Sequence, residues 1–222
     1  MEPLYPLDSR REAIEAKFRG FIHEEPHLNS SVSYVGNRKI PFLRLYRYKE
    51  AFAYGFVEQF LRRFSIDSND YVFDPFAGMG TTLFTSMLHG IHSVGLEKLP
   101  IAYFTSKTLP LFLFLRESEL RDIYTQLVRD VPKSTPAEVA IDVPIMKLAF
   151  NNETLLTLRK LKTAIEKLDY PCNDIFLLLF FSILEECSFT SKDGQFLRLK
   201  RAKHLNYWVQ KLNAGARQAE ED

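Results

Sequence analysis

The sequence predicts an α/β chain in which one parallel βαβ unit is followed by a mostly helical region. Three features lead there. YVFD at 71–74 and IHSVGLE at 91–97 are short apolar runs of strand length. Between them sit a glycine turn and the helix-patterned TTLFTSMLH, so that strand, turn, helix and strand fit into about 27 residues. That spacing demands parallel pairing and a right-handed crossover. Beyond Pro100 the apolar residues recur at helical intervals, as in Leu155, Leu158, Leu161 and Ile165.

In chain order, DSRREAIEAKFRGFI from Asp8 predicts a helix, with Ser9 and Glu12 spaced as a capping box and an end near Pro26. HLNSSVSYVGNRKIPFLRLYRYK reads as an extended arm with one edge strand. KEAFAYGFVEQFLRRF at 49–64 predicts a helix with Phe52, Phe56, Phe60 and Leu61 on one face, and a polar turn at 65–70 leads into the first strand. Gly80 to His89 forms the crossover helix, which Gly90 terminates. Helices follow at 118–131, at 154–168 with Asn152 as cap, at 174–187 and at 203–214, and EVAIDVPIM offers one more strand. Three regions result: an N-terminal helix and arm (1–45), an α/β unit (46–116) and a helical region (117–222) carrying a basic segment at 192–204.

Composition narrows the classes. The 222 residues are 46% hydrophobic and 26% charged with a formal net charge of +1, which fits a globular chain and makes any polyanion-binding surface a local one. Cys172 and Cys187 form no disulfide framework, and MEPLYPLDSRRE lacks the apolar stretch of a secretory signal. The expectation is a cytoplasmic location. The greasiest run, IFLLLFFSIL at 175–184, is too short for a bilayer, which takes roughly 20 residues, so no membrane association is expected.

The turn DPFAGMGTT at 74–82 carries the chemistry. Glycines between a strand and a helix let the backbone approach a ligand closely, and the helix start offers unpaired N–H groups to an anion. A phosphate loop is excluded because no lysine follows the second glycine, and GxGxxG fails at Leu83. The whole string resembles the cofactor motif of S-adenosylmethionine-dependent DNA methyltransferases that modify exocyclic amino groups of adenine or cytosine. RNA methyltransferases carry a looser DPxxGxGT. The upstream LYRYKEAFAYGFVEQFLRRF and the strand-ending VGLEK resemble the family's flanking motifs. FNNETLLTLRKLKTAI and LEECSFTSKDGQFLRLKRAK resemble a helical segment of some members, so the likeness covers about residues 40–205.

The resemblance implies a partial Rossmann-like methyltransferase sheet and assigns the residues that hold S-adenosyl-L-methionine. Asp74 would take the methionine amino group, and backbone from Pro75, Phe76, Ala77 and Gly78 to Gly80, Thr81 and Thr82 would wrap the methionyl part. Glu97, followed by Lys98, would accept from the ribose hydroxyls, Leu99 and Pro100 would wall the adenine, and Lys49 or Phe52 would close the methionine end. The family's catalytic loop, (S/D/N)PP(Y/F), does not occur, since the chain contains no Pro-Pro pair. A sheet of this class also has more strands than the two identified, and open parallel sheets are avoided. The expectation is therefore either a fragment or one subunit of a split enzyme, active in restriction-modification, whose partner chain completes the sheet and brings the catalytic motif to DNA. RNA methylation is the rival within enzymes, and a regulatory DNA-binding protein that has lost the active loop is the alternative from another class.

Two other stretches invite a function. HEEPH at 23–27 matches the HExxH zinc pattern, but Pro26 falls inside the helical turn that must align both histidines, so no metal is expected. Lys192, Arg198, Lys200, Arg201 and Lys203 form either a phosphate-contacting surface or a solvated basic helix face. Tyr207 and Trp208 beside them would stack on bases or pack.

Overall fold

The computed structural model describes residues 9–21, 23–29, 31–138, 148–193 and 196–200. The chain enters through α1 (Ser9–Phe18) and a 3₁₀ turn (Arg19–Phe21), and a separate 3₁₀ turn begins at Pro26. The first helix thus ends well before Pro26, so HEEPH does not lie on an α-helix. The following arm is not the extended segment the sequence suggested: it folds into a 3₁₀ helix (Tyr34–Lys39) and consecutive turns, with no strand among its described residues. Its side chains anchor it instead of a ladder, because Leu43 and Tyr48 are buried in the main core.

Helix α2 spans Tyr54–Arg63 and starts later than the sequence pattern suggested, after Ala53 in extended backbone. It buries Val57 and Leu61, one turn apart, against Ile91, Ile66 and Val72. Beside that stripe runs an aromatic ladder, with ring centroids 4.9 Å apart for Phe52 and Phe56 and 4.8 Å for Phe56 and Phe60. Strand β1 (Tyr71–Asp74), helix α3 (Thr81–Leu88) and strand β2 (His92–Gly95) form the expected βαβ unit. The strands run parallel in a register that pairs Tyr71 with His92 and Asp74 with Gly95. Gly95 has no side chain because α3 closes on it: a Cβ there would stand 2.7 Å from that of Ala77 and 2.8 Å from Leu83. The other sheet face is bare, with Tyr71 76%, Phe73 61% and Val94 55% exposed.

Helices α4 (Pro100–Thr108), α5 (Glu117–Asp130), α6 (Asn152–Glu166) and α7 (Cys172–Cys187) build the second half. Asn151, not Asn152, caps α6, its Oδ1 accepting from Thr154 N–H at 2.7 Å, the bond a cap makes to the third helical residue. Ile175, Phe176, Leu178 and Phe180 of α7 enter a core shared with Leu109, Leu158, Ile165 and the arm. Lys107 ties α4 to α7 through Asp174 at 2.9 Å. Among the described residues no helix is long and apolar enough to cross a membrane.

The second half is not wholly helical. Strands β3 (Thr190–Asp193) and β4 (Phe196–Leu199) pair as an antiparallel hairpin, with Asp193 opposite Phe196, where the sequence suggested a basic stretch or a helix face. The EVAIDVPIM strand and the 203–214 helix fall largely or wholly outside the described residues.

This architecture separates two kinds of apolar side chain. Leu178→Ala should cost about 2 to 5 kcal/mol, as deletions in a packed core do. Phe73→Thr on the bare sheet face should change stability by less than about 0.5 kcal/mol. Urea unfolding of both variants checks the contrast.

Candidate functional site

The glycine turn is built by strand ends and backbone strain acting together. Leu96 N–H donates to Asp74 C=O and Ala77 N–H to Leu96 C=O, both at 2.9 Å, so the turn is stitched to the segment leaving β2. Gly78 (φ +54°) and Gly80 (φ +87°) adopt left-handed backbone that other residues reach only with strain. Gly80 is also pressed on α4, where a Cβ would stand 2.6 Å from Ser106 Cβ. Gly78 instead faces the arm, 3.4 Å from the Tyr48 ring by the same measure. Gly78 and Met79 N–H meet no acceptor among the described residues, and Thr81, Thr82 and Leu83 N–H precede the first helical bond, from Phe84 to Gly80. A row of donors thus borders the turn.

Two carboxylates flank it, Asp74 at the end of β1 and Glu97 two residues past the end of β2, near where parallel sheets hold ligands. Asp74 Oδ1 accepts from Phe76 N–H at 3.0 Å, and Glu97 Oε1 from Leu99 N–H at 2.6 Å. Each acid is oriented by its own backbone through one oxygen, which leaves the other for a ligand. Burial, with the charges of Glu97 and Glu50, raises the Tyr48 hydroxyl above its ordinary value, which places this ring within the field of Glu97.

The remaining predicted residues divide. Pro75 and Phe76 are exposed, Phe76 at 88%, whereas Ala77 and Thr81 are buried and Thr82 is half-buried. Lys98 and Leu99 are exposed beyond Glu97. Lys49 is half-buried, while Phe52 turns its ring onto Phe56 of α2 and leaves Tyr48 as the aromatic that meets the turn. In the basic segment Arg198 is exposed. Lys200 donates from Nζ to the carbonyls of Glu185 and Ser188, at 3.0 and 2.6 Å, where a cation complements the end of α7. Burial lowers its pKa. The Lys192 side chain, Arg201, Lys203, Tyr207 and Trp208 lie outside what is described.

Sequence reasoning missed Asn37. Buried on the 3₁₀ helix, it donates to Phe52 C=O (2.8 Å), accepts from Tyr54 N–H (2.7 Å) and makes a longer contact of 3.5 Å to the Thr81 hydroxyl. One amide thus locks the arm, the start of α2 and the start of α3 together. Leaving those backbone groups unpaired would cost about 1 to 3 kcal/mol. No pattern within VGNRK announces partners 15 to 44 positions away. A separate cavity of about 440 Å³ lies between α6 and α7, lined by Phe150, Leu158 and Phe180. It is mostly apolar, and neither Asp74 nor Glu97 lines it.

Residues 23–104 match the family model for DNA methylase. Over that stretch the chain is similar to DNA methylases. It is 32% identical over 193 residues to the type II methyltransferase M.BsoBI of Geobacillus stearothermophilus, a match covering 85% of this chain and 37% of that protein. It is 30% identical over 190 residues to the type II methyltransferase M.AvaI of Nostoc sp., covering 84% and 39% respectively. The chain thus matches well under half the length of these curated proteins. No solved structure gives a significant match. The matched region runs from the turn before the arm to α4, and so contains the arm, Asn37, Tyr48, the turn and both acids.

The two glycines should respond differently to a methyl group. Both variants carry the backbone strain, but only Gly80→Ala adds the collision with Ser106. Gly80→Ala should therefore unfold about 1 to 3 kcal/mol more easily than Gly78→Ala, measured by thermal or urea denaturation.

Proposed function

We propose that the chain binds S-adenosyl-L-methionine at the glycine turn, as the cofactor-holding part of a methyltransferase acting on the exocyclic amino group of adenine or cytosine in DNA. The observation that carries this is the pair of half-engaged carboxylates, Asp74 ending β1 and Glu97 just past β2, with the donor row of the turn beside them. A ligand with an ammonium, a carboxylate and a ribose diol fits that set. Asp74 would receive the ammonium, Glu97 the diol, and N–H groups of the Gly78 to Thr82 region the carboxylate. Tyr48 and Gly78 would line the methionyl part closely, since no side chain at 78 intervenes. When bound, the cofactor supplies an electrophilic methyl on a sulfonium. The residues of the turn and its flanks orient it and exclude water from one side.

A target base must be turned out of the duplex to meet such a methyl group. The groups that would hold it are not in this sequence, because the (S/D/N)PP(Y/F) loop is missing from it. We assign that loop, and the remaining strands, to further polypeptide: a partner subunit forming a heterodimer, or a segment of the same enzyme, in a restriction-modification setting. The bare face of Tyr71, Phe73 and Val94 supports this, because parallel strands are covered on both faces. Lys192 and Arg198 of the hairpin, with Arg201 and Lys203, would add phosphate contacts. Lys200 holds the helix end.

Calorimetry tests the site directly. Asp74→Asn keeps an acceptor for Phe76 N–H but removes the charge, and Glu97→Gln does the same for Leu99. Each should weaken S-adenosylmethionine binding by about 1 to 3 kcal/mol, roughly 5- to 150-fold, with the fold retained. Unchanged affinity in both variants refutes the assignment.

A further inference from the structure

Next to the turn, on the arm that carries Asn37 and Tyr48, arginines converge on a single tyrosine. Arg38 Nη2 donates to the Tyr34 hydroxyl at 3.2 Å and Arg47 Nε at 3.1 Å. The two guanidinium carbons also lie 5.6 and 5.8 Å from the centroid of its ring. Arg44 joins both in lining a cavity of about 260 Å³ whose wall continues through Asn37 and Tyr48 to Met79 of the turn.

The cluster is short of negative charge. Its one acidic contact among the described residues is Glu185, 3.7 Å from Arg47 Nη1, and Arg38 and Arg44 have no carboxylate partner there. Like charges this close repel unless an anion joins them. Tyr34 reports the same imbalance: burial pushes its hydroxyl up, yet the bonds and charges of Arg47 and Arg38 bring it below the ordinary tyrosine value. By accepting from both guanidiniums, the tyrosine fixes their planes without neutralising them.

We propose that Arg38 and Arg47, held in place by Tyr34, form with Arg44 a cradle for DNA phosphodiesters beside the methyl-donor turn. The inference rests on reading the chain as part of a DNA methyltransferase. A planar guanidinium fork matches a phosphate bidentately, and several in one place suit a polyanion. The single carboxylate of the cofactor needs only one charge. Seating the backbone here would position a duplex by its phosphates, independent of sequence, while base contacts come from elsewhere.

The test uses the full chain, a short labelled DNA duplex at several salt concentrations, and S-adenosylmethionine calorimetry in parallel. Arg38 and Arg44 are exposed, so the double variant Arg38→Gln/Arg44→Gln should fold normally. Its slope of log affinity against log salt should be shallower than that of the unmodified chain by roughly 0.9 for each phosphate that is no longer neutralised. Arg38→Lys/Arg44→Lys should keep the slope, and cofactor affinity should be unchanged in both. DNA binding with an unaltered slope in the glutamine variant overturns the cradle and leaves the methyltransferase reading standing. Loss of cofactor affinity with the slope retained overturns it too, giving the arginines to the cofactor. No duplex binding by the unmodified chain overturns the DNA reading and the cradle together.

Discussion

The contact between Gly80 and Ser106 is the constraint on which the rest of the site depends. It presses the end of the turn onto α4 so closely that no side chain fits, and it does so in backbone that favours glycine. The turn is thereby clamped on three sides: by α4 at Gly80, by the segment after β2 through Ala77 and Leu96, and by the arm through Tyr48 and Asn37. A loop held this way has its N–H groups and both flanking acids in place before any ligand arrives. Preorganisation of that kind lowers the cost of ordering on binding.

The clamp also explains why a chain of less than half its relatives' length forms a coherent body. Two parallel strands alone would expose both faces and both edges. Here one face is covered by α2 and α3 through Val57, Leu61, Ile91 and Val72, while the main core passes through Met79 and Phe84 into α4, α6 and α7. The helices do for the turn what further strands would otherwise do. What they leave bare is the Tyr71, Phe73 and Val94 face, the part of the unit farthest from that support.

The βαβ unit and its glycine turn were legible because their signals are local: apolar runs of strand length, glycines at the bend, a helix start directly after. Helix interiors in the second half were legible for the same reason, whereas their ends shifted by a residue or more, as when the cap of α6 moved to Asn151. The hairpin at 190–199 was hidden because its basic residues also suit a solvated helix face. The arm reads as extended because its fold is dictated from outside, by the burial of Leu43 and Tyr48 and the bonds of Asn37. Tyr34 with its arginines is invisible for a similar reason, since residues 34, 38, 44 and 47 meet only once the arm has coiled.

That the turn and the two acids beside it form the seat of S-adenosylmethionine is tested most directly by amide hydrogen exchange with and without that compound. The donors at issue are backbone groups that lack partners among the described residues, so a ligand that engages them must protect them. Slowed exchange at Gly78, Met79 and Thr81 to Leu83 is the predicted result. Exchange that is unchanged there while binding is saturated, or slowed instead along Phe180 and Ser188 of the apolar cavity, would contradict it.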